Sequence, residues 1–361
     1  MKKALLFIFC LILFLSGCNK TKTSSGSSGE VDLPPIVRTD DPEMLLYGNT
    51  LANINSHGEI VENKDKIYYV FQNQTILEMD RADVTKVREL ISESSNISNL
   101  LLHDNYLYYI INNNAIAAAS IKRIDLNTGV AEVLTDDVSV TRNILVILED
   151  KLYFLDANAY YARSDLDGSN AKLFGYTIVQ YPSFDGTYFY GIGYDMMAQY
   201  QFLRVYQTDP ATDKSKIFFE TKEAFNFIPN PNGYLVLAYQ DSSHVEPYEV
   251  FVLDKEGKQV EVLDVPFYRP LSQIKDGVYY NPLYGDTGIF QDRFFKFDTA
   301  TNEIEIIDNT DAQKYATWMV LAYGLDSAEY HFFLSDEILY AMDKRSEAIT
   351  QVWPIPQVDP Q

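Results

Sequence analysis

The twelve residues RIDLNTGVAEVL, Arg123 to Leu134, decide the fold, because the chain keeps returning to them. Versions recur as MDRADVTKVREL from Met79, SDLDGSNAKLF from Ser164, LDKEGKQVEVL from Leu253, FDTATNEIEII from Phe297 and AMDKRSEAITQVW from Ala341. Each has an Asp at the end of an apolar-alternating run, a short polar turn, and a second alternating run, the pattern of a tight β-hairpin. The Asp residues form a ruler at Asp80, Asp125, Asp165, Asp209, Asp254, Asp298 and Asp343, with intervals of 45, 40, 44, 45, 44 and 45 residues. Asp209 is the most degenerate copy, since RVYQTDPATDKSKIFF aligns only with a small insertion.

A second ruler runs alongside the first. Pairs of aromatic or apolar residues precede each Asp, at Tyr68-Tyr69, Tyr108-Tyr109, Tyr153-Phe154, Phe189-Tyr190, Leu235-Val236, Tyr279-Tyr280 and Phe332-Phe333. Turn signals precede six of these pairs, at Asp65, Asp104, Asp150, Asp185, Asn232 and Asp276; the seventh copy offers only DSAEY. Asp-Gly and Asn-Gly accept positive φ and match the twist of two-residue hairpins. Each unit therefore reads as four strands: in the third copy, NILVILE (Asn143 to Glu149), KLYFL, YARSDL and, after the turn DGSN, the outer strand AKLF.

Four-stranded units at a period of about 40 to 45 residues are the signature of a β-propeller. The expected fold is all-β, a propeller of seven four-stranded blades, or six if the degenerate fourth and last copies form no sheet. A solenoid repeats at shorter periods, and two sandwiches would interrupt the even spacing. The expected organisation is a signal peptide over residues 1–17, a lipidated Cys18 and flexible tether over 18–43, the propeller over 44–353 and a tail over 354–361.

The stretches YGNTLANINSHGEIVENKDKIYYV (Tyr47 to Val70), KRIDLNTGVAEVL and LYFLDANAYYARSDLDGSNAKLF resemble the bacterial lipoprotein propellers of unknown function that are similar to the low-density-lipoprotein-receptor-related-protein propeller. The resemblance covers Tyr47 to Phe174 well and the rest loosely. It implies a fold and no reaction. The receptor propellers carry a Tyr-Trp-Thr-Asp strand where this chain reads YYVF, YYII and YFLD, so their ligand-binding residues do not transfer.

The N-terminus predicts location. Lys2 and Lys3 precede an apolar run, Ala4 to Leu15, that is too short to span a bilayer comfortably and reads as a secretory signal. The run ends in Leu15-Ser16-Gly17-Cys18, which resembles the bacterial lipoprotein signal, in which the Cys is acylated and becomes the first mature residue. Two acyl chains at about 0.8 kcal/mol per buried methylene give stable anchoring to a lipid bilayer. The expected localisation is extracytoplasmic, anchored to a bacterial membrane. Residues 19–38 are rich in Ser, Gly, Lys, Thr and then Pro, a solvated tether with a root-mean-square span of roughly 25 Å.

Composition narrows the function. Cys10 and Cys18 are the only cysteines, so the mature domain has no thiol for disulfides, catalysis or metal. Loss of Lys2 and Lys3 moves the formal charge from −22 to −24, which repels phosphate backbones, and nucleic acid is not an expected partner. The four histidines, His57, His103, His244 and His331, have no metal-site spacing. No nucleophile elbow, phosphate-cradling loop or dinucleotide fingerprint is present, and no cofactor is expected. The nearest approach to a calcium loop, DLDGSN at Asp165, lacks a bidentate Glu at the twelfth position.

The loops between second and third strands vary most: INNNAIAAAS from Ile111, GIGYDMMAQYQ from Gly191, YQDSSHVEPY from Tyr239 and NPLYGDTGIFQD from Asn281. Variable loops on a rigid scaffold collect binding residues, which nominates Tyr194, Asp195, Tyr200, Tyr239, His244, Tyr284, Asp286 and Phe290. Covering the ends of blade cores is the plainer role for the same aromatics. The leading expectation is a noncatalytic binding or scaffold module for a protein, peptide or glycan. The alternatives are a cell-envelope hydrolase or lyase with its site at the propeller mouth, for instance on carboxylates drawn from Asp195, Glu246 and Asp286, and an accessory sensor or assembly lipoprotein of a membrane complex.

Overall fold

Tyr68 and Tyr69 sit side by side on one strand, yet they belong to different cores. Tyr68 packs with Val61, Leu102 and Leu107, whereas Tyr69 packs with Phe332, Leu339 and Val352 from the far end of the chain. The same split separates Tyr108 from Tyr109 and Tyr153 from Phe154. A strand buried on both faces needs apolar side chains at consecutive positions. The paired aromatics are therefore what a sheet sandwiched between two other sheets requires.

The computed structural model describes residues 54–55, 58–113, 118–140, 143–175, 178–194, 203–221, 224–230, 232–239, 248–263, 272–275, 278–284, 290–301, 303–308, 325–327, 329–335, 338–343, 345–346 and 348–354. The chain divides into a unit Met1–Ile36 and a unit Val37–Gln361, and all described residues lie in the second. They form seven four-stranded antiparallel sheets, over residues 60–92, 96–135, 146–173, 180–221, 224–263, 272–308 and 325–353. Each sheet is made of four consecutive strands in chain order. Among the described residues no helix is long and apolar enough to cross a membrane. The protein is an all-β propeller, and both degenerate copies form complete sheets.

Shared apolar cores join sheet 1 to 2, 2 to 3, 3 to 4 and 4 to 5, and a further one closes the ring from 7 to 1. Closure uses side chains: the Tyr69 and Phe332 rings stand 5.5 Å apart, and Arg81 Nε lies 3.7 Å from Glu62 and 3.5 Å from Glu329. First strands of neighbouring sheets approach one another and line the hub, while the exposed apolar residues Val133, Leu173, Ile217, Val262, Ile304 and Ile349 lie on fourth strands at the periphery.

The ruler Asp proves to be a turn device. Its Oδ1 accepts the backbone N–H two residues on in six of the seven sheets, as in Asp80 to Ala82, Asp125 to Asn127, Asp209 to Ala211, Asp254 to Glu256, Asp298 to Ala300 and Asp343 to Arg345. Such Asx turns close a tight outer hairpin. The first-to-second turns use the expected conformations at Asp104, Asp150, Gly186 and Gly233, all at positive φ. Asp65 departs from this pattern: its turn is held by Asn63 Oδ1, which accepts from Asp65 N and Lys66 N. In the seventh sheet Ser327 supplies the missing signal, its Oγ accepting from Tyr330 N.

Sheet 3 is shorter than expected. Its first strand is Val146–Leu148, because Asn143 is withdrawn from the ladder by its own side chain, whose Oδ1 accepts from Ile144 N and Leu155 N. Its fourth strand is only Lys172–Leu173, because Phe174 turns inward to stack on Tyr161 at 5.4 Å and meet Tyr153 edge-on at 5.1 Å.

Candidate functional site on the loop face

The two kinds of Asx turn share one face of the ring, so the second-to-third loops leave from the other. Tyr194 closes the second strand of sheet 4 opposite Leu203, Tyr239 closes that of sheet 5 opposite Tyr248, and Tyr284 closes that of sheet 6 opposite Phe290. The backbone thus sets three tyrosines, each 45 residues from the next, at one register position on three consecutive sheets. Sheets 1, 2, 3 and 7 carry Phe71, Asn113, Leu155 and Ser335 at the same position. Asp195, Tyr200, His244 and Asp286 lie outside the described residues, as does Cys18.

Two acids on this face are committed to structure. Glu93, in the crossing from sheet 1 to sheet 2, accepts from Tyr109 OH at 2.9 Å and from Lys122 Nζ at 2.9 and 3.0 Å. Burial and the adjoining carboxylate hold the Tyr109 hydroxyl well above its ordinary pKa, so it remains a donor. Asp156, 4% exposed, accepts from Asn158 N and Tyr160 N and shapes the second-to-third loop of sheet 3.

The hub was not found from the sequence. Asn99 Nδ2 donates to Asn143 O at 3.3 Å, joining the inner edges of sheets 2 and 3. Beside them, burial pushes the Glu59 carboxyl up from 4.5 to about 7. The available signal was the Asn-Ile dipeptide at Asn53, Asn96 and Asn143, which stands just ahead of or at the start of each of the first three sheets.

On the turn face a groove of about 500 Å³ opens between sheets 3 and 4, lined by Lys151, Arg163, Asp165, Lys172 and Pro210 among others. Its charges are largely spent on one another. Asp165 bonds Lys151, Asn170 and Ser169, which holds its carboxyl below the usual range, with Lys151 the largest cause. The DLDGSN stretch is thus a self-bonded turn, in which Asp165 holds Lys151, Ser169 and Asn170 and Asp167 Oδ1 accepts from Ser169 N. Arg163 donates to Pro210 O at 2.7 Å and to Asp213 at 3.0 Å. Among the described residues no group of three His, Cys, Asp or Glu is arranged to hold a metal.

No family model and no curated protein matches the chain. Solved structures similar to it include oligogalacturonate lyase from Vibrio parahaemolyticus, 13% identical, covering 67% of this chain and 73% of that one with a TM-score of 0.45. TolB from Acinetobacter baumannii is 14% identical, covers 80% and 64%, and has a TM-score of 0.39. A chain of a nidogen/laminin complex is 11% identical, covers 79% and 91%, and has a TM-score of 0.38.

Proposed function

We propose that this protein is a lipid-anchored, extracytoplasmic propeller that acts as a noncatalytic binding or scaffold module, holding a protein, peptide or glycan on its loop face. The observation that carries the reading is the common register of Tyr194, Tyr239 and Tyr284 on three adjacent sheets. Tyrosine gives large contact area at low entropic cost, and a rigid ring fixes the spacing between anchors. The lipid anchor at Cys18, with residues 1–17 as signal and 18–43 as tether, rests on the Leu15-Ser16-Gly17-Cys18 stretch.

The test combines capture with fractionation. Cross-linking on intact cells followed by identification of attached molecules names the partner. The triple variant Tyr194→Ala, Tyr239→Ala, Tyr284→Ala is expected to lose those adducts while keeping its melting temperature within a few degrees; unchanged adducts would overturn the loop-face reading. Cys18→Ser is expected to move the protein from the membrane to the soluble fraction, and retention in membranes would overturn the anchor.

A further inference from the structure

The first strand of each sheet pairs only with the second, so its other edge faces the hub unpaired within the sheet. In sheet 4 that edge is taken. Phe184 ends the first strand, and its N–H donates to Asn55 Oδ1 at 2.8 Å while its C=O accepts from Asn55 Nδ2 at 2.8 Å. A side-chain amide that gives and receives on one residue reproduces the pairing of a neighbouring strand. Ile54, 8% exposed, enters the core between sheets 3 and 4 with Val146, Leu155 and Phe184.

Three residues further on, the same stretch is fastened elsewhere. Gly58 C=O accepts from Leu100 N at 2.6 Å, on the first strand of sheet 2. Gly58 has φ +57°, and a Cβ there would lie 3.0 Å from the Asn99 backbone, so the close approach needs glycine. Glu59 C=O then accepts from Val70 N at 2.9 Å and leads into the first strand of sheet 1. Asn55 to Ile60 is five residues, a reach of at most roughly 17 Å, the scale of a hub and too short for a path around the outside.

We propose that the stretch leading into the first sheet is a strap laid through the hub, fastening the inner edges of sheets 4, 2 and 1 to one another and occupying the place where a channel ligand would bind. The strap links sheets that are not neighbours in the ring, unlike the contacts of Arg123 with Leu166 and of Arg163 with Pro210. Among the described residues every sheet is self-contained and the closure between sheets 7 and 1 uses side chains, whereas Asn55 and Phe184 form hydrogen bonds between residues 129 positions apart. The assignment holds whatever the loop face carries.

Amide hydrogen exchange on the full chain tests it. Phe184 N–H and Leu100 N–H are protected by different residues of the strap, so their protection must be lost together. In Asn55→Ala both are expected to exchange at least about tenfold faster than in the parent, relative to the amide of Asn127 in the outer turn of sheet 2. Asn55→Asp, which keeps the acceptor for Phe184 N–H and loses the donor, is expected to fall between. Should Asn55→Ala not fold, Gly58→Ala makes the measurement from the other end, and Phe184 must quicken although the change is at Gly58. Exchange unchanged at both amides, or quickened only at the amide next to the substitution, would show separate contacts and overturn the strap.

Discussion

Sheet 3 meets sheet 4, and sheet 4 meets sheet 5, through the same register position filled by different chemistry. Two residues before the ruler Asp, sheet 3 carries Arg163, whose guanidinium reaches the next outer turn at Pro210 O and Asp213. Sheet 2 has Arg123 there, donating to Leu166 O of sheet 3 at 3.0 Å. Sheet 4 has Gln207 instead. Its Nε2 donates to Tyr190 OH at 2.7 Å, and Tyr190 and Tyr234 both lie within hydrogen-bonding distance of Asp185 Oδ2, at 2.7 and 3.1 Å. One joint is an ionic clasp at the rim, the other a hydroxyl network inside an aromatic stack in which Tyr190 and Phe227 lie 4.8 Å apart. The repeat fixes where neighbouring sheets must be joined and leaves open which chemistry joins them.

The ionic joint depends most on Arg163. Its side chain is 15% exposed, and Arg163→Ala leaves Asp213 without its cation, so a loss of about 3 kcal/mol is expected in urea unfolding. Arg163→Lys should recover only part of it, because an ammonium cannot reproduce the fork that spans carbonyl and carboxylate.

The hub carboxyl offers the opposite case, an acid with no cation paired to it among the described residues. Glu59 ionises near 4.5 unfolded and near 7 folded, so the folded state holds its proton longer and stability falls as pH rises from about 4.5 through 7. Glu59→Gln should therefore leave stability nearly unchanged at pH 4.5 and raise it by about 3 kcal/mol at pH 8, as measured by denaturant titration at both pH values. A gain of equal size at both would detach the effect from ionisation.

The hydroxyl joint should respond less and differently. Tyr190→Phe strands the Gln207 amide and is expected to cost about 1.5 kcal/mol, Tyr234→Phe about 1 kcal/mol. Added salt should weaken the clasp at Arg163 and spare this joint. Burial raises the Tyr234 hydroxyl to about 12, so its contribution is whole below pH 10 and fades as pH rises from 10 through 12. The smallest effect belongs to single outer turns. Asp125→Ala should cost about 0.5 kcal/mol in the same titration, and Asp125→Asn close to nothing, because an amide oxygen closes the same turn.

What could be read from the sequence was whatever each unit states for itself. Asp125 with Thr128 and Gly129 specifies its turn locally, and Tyr108-Tyr109 announces a strand buried on both faces, so ruler and pairs gave the propeller directly. Local rules failed where a distant residue intervened. Asn143 left the ladder of sheet 3 because its amide found Leu155, twelve residues on, and Asn55 bound Phe184 across the ring. The tyrosines of the loop face were readable as positions, since Tyr194, Tyr239 and Tyr284 share a strand end. The hub was not, because Gly58 and Glu59 take their meaning from sheets that the sequence does not bring beside them.

Because among the described residues no strand is lent from one sheet to the next, each repeat of about 44 residues carries its own four-stranded ladder of hydrogen bonds. Duplication or deletion of a whole unit inside the ring would leave every other ladder intact and require only that two apolar flanks meet anew. The gene could therefore lengthen or shorten by one repeat at a time, and the stretch through the centre, matched to a hub of one diameter, would be the part of the protein that sets the number.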